Sequence, residues 1–459
     1  MRSPEINRGL AAPFARLLAK ELRGIVGGRA LWIMLLLACP LIGYSFVQAV
    51  ALYAESSVAG QQSPTLAGSL SPLDGVLVPT LGSLYVAVTL LFPFVAIRAL
   101  SHEKETGALI LLAQLPFRSL TLILAKTMAV LAAWVLVSLP AVSALAVWMM
   151  LGGHLYPPET LNLLLGHALY GLLVGTIALF SASICESAAT AAIVTLAFTI
   201  GSWVLDFTIA GHPGVLASVA RLSLTQALRT FEQGLFSAGV ALGMAAVICG
   251  FTALACVWAR PGVPTRIRLA RSAACVLATT IAFAATLPIG LSLDLTEDQR
   301  NSFPPADQRL LATLSAPLNI SVHLAPEDPR YADLRRNVLA KLERAMPRVN
   351  VRLAGARPGE GGDRYGEVEY TYDGRSDVSR STSHREILPL LYGLAKVQPA
   401  GAVPGADYPG YPLVATADVA LFWFLGGLPL LIVIAWLWSR RPPAIRFAFA
   451  PMEAKHEAG

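Results

Sequence analysis

Charge is what this chain has least of. Asp, Glu, Lys and Arg make up 14% of its 459 residues, while 55% are hydrophobic. A soluble domain carries about 25% charge. The deficit is uneven. Residues 294–417 hold 31 of the 64 charged residues, 15 basic and 16 acidic, and the other 335 residues share 33. The charge-rich stretch reads as a small water-compatible domain, and the rest reads as membrane sequence. The net charge of +6 lies beside apolar runs, with no basic folded surface to carry it. That excludes nucleic acid as a partner.

Other absences narrow the chemistry. The five cysteines, Cys39, Cys185, Cys249, Cys256 and Cys275, all lie outside 294–417. That stretch has no disulfide framework or cysteine metal site and must rely on its own core. No Gly-Lys pair occurs anywhere, so the phosphate-cradling loop of nucleotide hydrolases is missing. No paired catalytic residues stand out. The expectation is a protein that is not an enzyme and binds no cofactor or metal of its own.

What is present is a series of apolar runs. About 20 such residues cross a bilayer. On that rule eight spans are expected, at roughly 30–53, 76–100, 122–150, 161–184, 187–209, 235–258, 272–293 and 418–438. Pro40, Pro79, Pro93 and Pro140 fall inside them. The fold class is therefore a polytopic α-helical membrane protein with a small α/β domain, 294–417, between the last two spans. Leu36-Leu37-Ala38-Cys39 resembles a lipoprotein cleavage box, but its long leader and continuing apolar run are those of a span.

Lys and Arg set the expected orientation. With the N-terminus inside, pieces 1–29, 98–126, 259–271 and 439–459 carry 6, 4, 4 and 4 basic residues, and loops 54–75, 151–160 and 210–234 carry 0, 0 and 2. The asymmetry predicts both termini in the cytoplasm and 294–417 outside it. In a Gram-negative bacterium the membrane would be the inner one. Residues 8–25 place Leu10, Phe14, Leu17, Leu18, Leu22 and Ile25 at helical spacing, with Arg16, Lys20 and Arg23 on the polar side. Such a helix can lie in the membrane interface.

The turn between the second and third spans carries the functional expectation. Ser101 can cap a short helix holding Glu103, Lys104 and Glu105; Gly107 permits a break; Leu109-Ile110-Leu111-Leu112 forms an apolar patch; and Pro116 ends the piece before Arg118 and Lys126. A charged turn with an exposed apolar patch suits partner docking. The run Glu103-Lys104-Glu105-Thr106-Gly107-Ala108-Leu109 through Pro116 resembles the coupling-helix pattern of type-2 ABC exporter permeases. The amphipathic start, the six-span block 30–260 and Phe231-Glu232-Gln233-Gly234 are similar to that family as well. The resemblance covers about residues 8–260. It implies docking of an ATP-binding cassette subunit on Glu103, Lys104, Glu105, Gly107, Leu111, Pro116 and Arg118, with ATP and Mg on that partner. It also implies a second permease, either another copy or a paralogue.

The linker and seventh span, 261–293, lead to the domain. Asp294-Leu295-Thr296-Glu297-Asp298, with Arg300, Ser302 and Phe303, resembles the start of the auxiliary extracytoplasmic domain of gliding-motility-type ABC systems, here in truncated form. Within it the patterning predicts a helix near 305–314, a strand at 318–324, and a helix bearing Leu334, Val338, Leu342 and Met346. A strand at 349–353, another from Gly366 to Tyr372 and a helix from Glu386 to Val397 follow. Residues 355–363 read as a flexible loop and 398–412 as a linker. Glu327, Asp328 and Asp333 read as solvated surface charge, and the domain's histidines are His323 and His384.

Among polar residues near the spans, Glu186 is expected in the turn between spans four and five. Asp206, ahead of His212-Pro213-Gly214, is expected at an interface, and His167 as a satisfied packing residue. Gln48 also lies in a span, and Gly166, Gly171 and Gly175 predict close helix packing. No chain of acids forms a proton relay. Two functions remain: transport driven by an ATP-binding partner, or transmission of mechanical work to the outer domain and an extracytoplasmic protein partner.

Overall fold

The computed structural model describes residues 5–114, 119–209, 223–260, 262–325, 328–354, 364–398 and 408–440. Pro116, Arg118, the His212-Pro213-Gly214 motif, Glu327, the 355–363 loop, most of the linker and the 441–459 tail lie outside them, as does the side chain of Asp206.

Among the described residues, seven helices are long and apolar enough to cross a membrane. Helix α1 covers Glu5–Gly27 and α2 covers Arg29–Gln62, separated by Gly28 in an extended conformation. The second long helix, α3, spans Leu73–Glu105, followed by the short α4, Ala108–Gln114. Then come α5 (Ser119–Met150), α6 (Pro157–Ile184), α7 (Ala188–Ile209), α8 (Leu224–Glu232), α9 (Ala238–Trp258) and α10 (Thr265–Thr286). The last span, α14, is Asp418–Ser439. The expected fifth span coincides with α7, which is apolar over Ala188–Val204, the part whose side chains are described. The chain is thus built as a multi-pass helical membrane protein.

Breaks in these helices have local causes. In α3 the chain is interrupted at Leu91 and in α5 at Ser138, and Pro93 and Pro140 begin the helical segments that follow. Proline is tolerated there because its missing N–H would have no helical acceptor. Pro40 lies within α2 itself.

Helix α6 is the centre of the bundle and packs against α3, α5, α7, α8 and α9. Its glycines make this possible. A side chain at Gly166 would overlap Phe231, at Gly171 the Trp134 ring, and at Gly175 Val130. Small residues let backbones approach where no hydrophobic effect drives helices together. The last two spans sit at the margin. Helix α10 packs on α9 and has no buried residue; α14 packs mainly on α2, with Phe424 seated against Gly43.

Between α10 and α14 lies the charge-rich domain. A two-stranded ribbon joins it to the bundle: β1, Leu235–Ser237, pairs antiparallel with β2, Ser292–Asp294. Beyond α11 (Pro305–Ala312) the strands are β3 (Leu318–Val322), β4 (Val349–Leu353), β5 (Val368–Tyr372) and β6 (Arg375–Ser379), in the order β4-β3-β5-β6. Strands β3 and β4 are parallel and the other pairs antiparallel. Helix α12, through Pro329–Leu334, a π-helical turn Arg335–Leu339 and Ala340–Ala345, makes the β3–β4 crossover. The predicted Leu334, Val338, Leu342 and Met346 face the core, with Ile320, Tyr370 and Ile387 of α13 (His384–Ala395).

Candidate functional site

Helix α3 carries the expected docking turn, though its geometry differs from the sequence expectation. Ser101 caps nothing: it is buried within α3, and Glu103, Lys104 and Glu105 are that helix's last residues. Thr106 closes the turn with its N–H to the His102 carbonyl, and Gly107 follows at φ 72°. That left-handed conformation is where helices end on glycine. Helix α4 then turns Leu109 and Leu112 inward against Phe14, Leu17, Leu122 and Ala125. Its other face leaves Ile110 58% and Leu111 66% exposed, beside exposed Glu105.

Glu103 and Lys104, two of the expected docking residues, point into the protein. Glu103 is buried, and its carboxylate lies 2.8 Å from the Lys126 ammonium and pairs also with Lys20. Lys126, 0% exposed, pairs in turn with Glu21 at 2.8 Å and donates to the Ala99 carbonyl at 2.6 Å. Lys20 completes the ring by contacting Glu21 at 3.0 Å. Two acids and two bases from α1, α3 and α5 thus neutralise one another. Mutual neutralisation is the condition for keeping Glu21, Glu103 and Lys126 buried, with Lys20 half-exposed at the edge. Lys104 donates to the carbonyls of Ala182, Ser183 and Cys185 at 3.0, 3.0 and 2.7 Å. Those are orphan acceptors at the end of α6, where a cation is favoured. Gly107, Glu105 and Leu111 remain at the surface, as does Glu186 in the neighbouring turn.

The role of α1 was therefore only partly legible. It is amphipathic, but its polar side is also an ion-pairing surface for α3 and α5. Glu21 among basic neighbours and Lys126 at the head of an apolar run were the available signals.

At the domain end of the bundle a second polar assembly joins the parts. Glu297 accepts from Tyr411 Oη at 2.5 Å and lies 2.8 Å from His154 Nε2. The His154 and Tyr411 rings stack at 3.7 Å. Tyr53 donates to the Tyr411 carbonyl at 2.7 Å, and Leu413 N–H donates to Ser57 Oγ at 3.0 Å. Arg300 reaches Asp74, and Asn301 donates to the Gln233 carbonyl at 2.7 Å. Hydrogen bonding to Glu297 holds the Tyr411 hydroxyl protonated and pushes its pKa up to about 12. The Asp294-to-Phe303 phrase singled out in the sequence is thus a clasp between domain and spans.

Elsewhere two expectations are corrected. His167 is packed, at 2% exposure, yet its Nε2 makes no hydrogen bond among the described residues and lies 3.7 Å from Glu232. Asp328 is engaged rather than free: it caps α12 through Arg330 N–H at 2.9 Å and accepts from the Arg330 guanidinium and from Tyr365 Oη at 2.8 Å. These donors hold its carboxyl well below the usual range. Among the described residues no group of three metal-ligating side chains comes together. No protein-family model, curated protein or solved structure matches the chain.

Proposed function

We propose that the chain is the membrane-spanning permease subunit of an ATP-driven exporter of the ABC type. A separate ATP-binding subunit would dock on the 101–118 turn, from the cytoplasmic side. The observation that carries this reading is the division of labour in the turn. Glu103 and Lys104 fasten it to α1, α5 and α6, while Glu105, Ile110 and Leu111 are left facing outward. A surface anchored from within and apolar without suits the transfer of force from a soluble partner. ATP and Mg²⁺ stay on that partner. Movement at α4 would pass through Lys104 to the end of α6, the helix that contacts most of the bundle.

A second reading is favoured by the clasp at the other end. Glu297, Arg300 and Tyr411 bind the outer domain to the spans at several points. Such fastening suits transmission of work to an envelope partner without passage of a substrate.

The test is tagged purification of the full chain from its native membrane, as wild type, Leu111→Asp and Glu105→Ala. Recovery of an ATP-binding protein with the wild type, and its loss with Leu111→Asp at equal yield, supports docking through this turn. Absence of any ATPase from wild-type preparations overturns both readings.

A further inference from the structure

A cleft of about 300 Å³ opens where the ribbon meets the domain. Its polar lining includes Asp294, Asn301, Ser302, Gln308, Lys341 and Arg344. Lys341 is 7% exposed, and its ammonium makes no hydrogen bond or ion pair among the described residues. It sits 5.7 Å from the Phe303 ring, and Asp294 and Asp298 are the acids near enough to favour its charge. Asp294 is the acid within the cleft, but its oxygens are already taken. They accept from Thr296 Oγ1 at 2.6 Å, Asn301 N–H at 2.8 Å and Ser302 Oγ at 2.8 Å. Arg344 gives one guanidinium nitrogen to the Asn301 carbonyl and leaves the rest of its fork at the rim. Two cations therefore share one cleft with one fully bonded carboxylate. A largely buried lysine whose ammonium has no hydrogen-bond partner favours an anion in the cleft it lines.

The setting says what kind of anion. Ribbon residues Leu235, Ser237, Ser292 and Asp294 occupy cross-strand positions on one face. The cleft opens at Leu235, Ser292 and Asp294, and an apolar groove begins at Ser237 and continues past Val240, Phe283, Leu287 and Ile289 between α8, α9 and α10. A polar cationic cleft above an apolar groove at the end of two spans matches an anionic headgroup above an acyl chain.

We propose that this cleft binds a phosphate group, with Lys341 as the counter-charge within the cleft and Arg344 as the rim donor. The proposal is independent of how the turn at 101–118 is used. A lipid headgroup and free phosphate share the chemistry, and the groove favours the lipid.

The test uses the full chain purified in neutral detergent, as wild type, Lys341→Met and Arg344→Gln. Native mass spectrometry would follow added phosphatidylglycerol against phosphatidylcholine, and thermal unfolding would follow inorganic phosphate. Wild type is expected to retain phosphatidylglycerol about tenfold more strongly than phosphatidylcholine, with that preference lost in Lys341→Met and weakened in Arg344→Gln. Stabilisation by inorganic phosphate without lipid preference keeps the site and assigns it to a soluble phosphate. Arg344 lies at the surface, so Arg344→Gln remains informative if Lys341→Met does not fold. Equal retention of both lipids by wild type, with no effect of phosphate, overturns the proposal.

Discussion

Lys126 and Glu21 form an ion pair at 2.8 Å, with both side chains withdrawn from the surface although they lie 105 positions apart in the chain. The pair fixes α1 to the start of α5, and Glu103 draws the end of α3 into the same contact. Removing one member leaves an uncompensated buried charge, which costs about 3–5 kcal/mol. Lys126→Met should therefore lower thermal stability sharply, and Lys126→Met combined with Glu21→Gln and Glu103→Gln should recover much of it. Unfolding of the purified variants in one detergent checks this. Failure of the triple variant to exceed the single one would show that shape, rather than charge, is what Lys126 supplies.

Lys104 is expected to act on the end of α6. In Lys104→Met the carbonyls of Ala182, Ser183 and Cys185 lose a charged donor worth about 1 kcal/mol or more. Amide exchange at residues 184–188 should speed up several-fold while the middle of α6 keeps its protection. Unchanged exchange there would remove Lys104 from the path proposed between the turn and the bundle.

The clasp should respond to alkali. Tyr411 has a folded-state pKa raised from 10.0 to about 12, through its bond to Glu297. A raised pKa means that the protonated tyrosine favours the folded state. Its contribution is complete below pH 10 and is lost as pH climbs through about 12. Several buried tyrosines also titrate late, so ultraviolet titration should show one late tyrosinate fewer in Tyr411→Phe than in the wild type. In Glu297→Gln the same tyrosine should titrate earlier.

Asp328 works in the other direction. Its carboxyl is held low by Arg330 and Tyr365, so its contribution is present above the ordinary value of 3.8 and is lost as pH falls toward its folded-state pKa. Asp328→Ala should cost about 1 kcal/mol at neutral pH, as loss of a helix cap does. The gap from wild type should close in strong acid. Urea unfolding of the domain signal across pH would show a constant gap if Asp328 acted through packing alone.

How far the sequence led depended on the range of the interaction. Spans follow from apolar runs, and the strand–helix–strand of β3, α12 and β4 follows from the spacing of Leu334, Val338 and Leu342. Strand β6 was missed although Asp373-Gly374, both at positive φ, supply a hairpin turn between β5 and β6. Glu103 and Lys104 look like surface charges in the turn because their partners, Lys126 and the end of α6, are fixed only by tertiary packing. The ribbon was invisible for the same reason: Leu235 and Asp294 lie at the far ends of two spans. The glycines of α6 were legible, since small residues in a span have few other uses.

The domain is held by α10 on the α9 flank of the bundle and by α14 on the α2 flank, and the clasp ties it to the loops between. Any motion that spreads α9 from α2 must lengthen the distance between those two legs. If the spans move as the second proposed reading requires, the domain would act as a caliper set across the bundle.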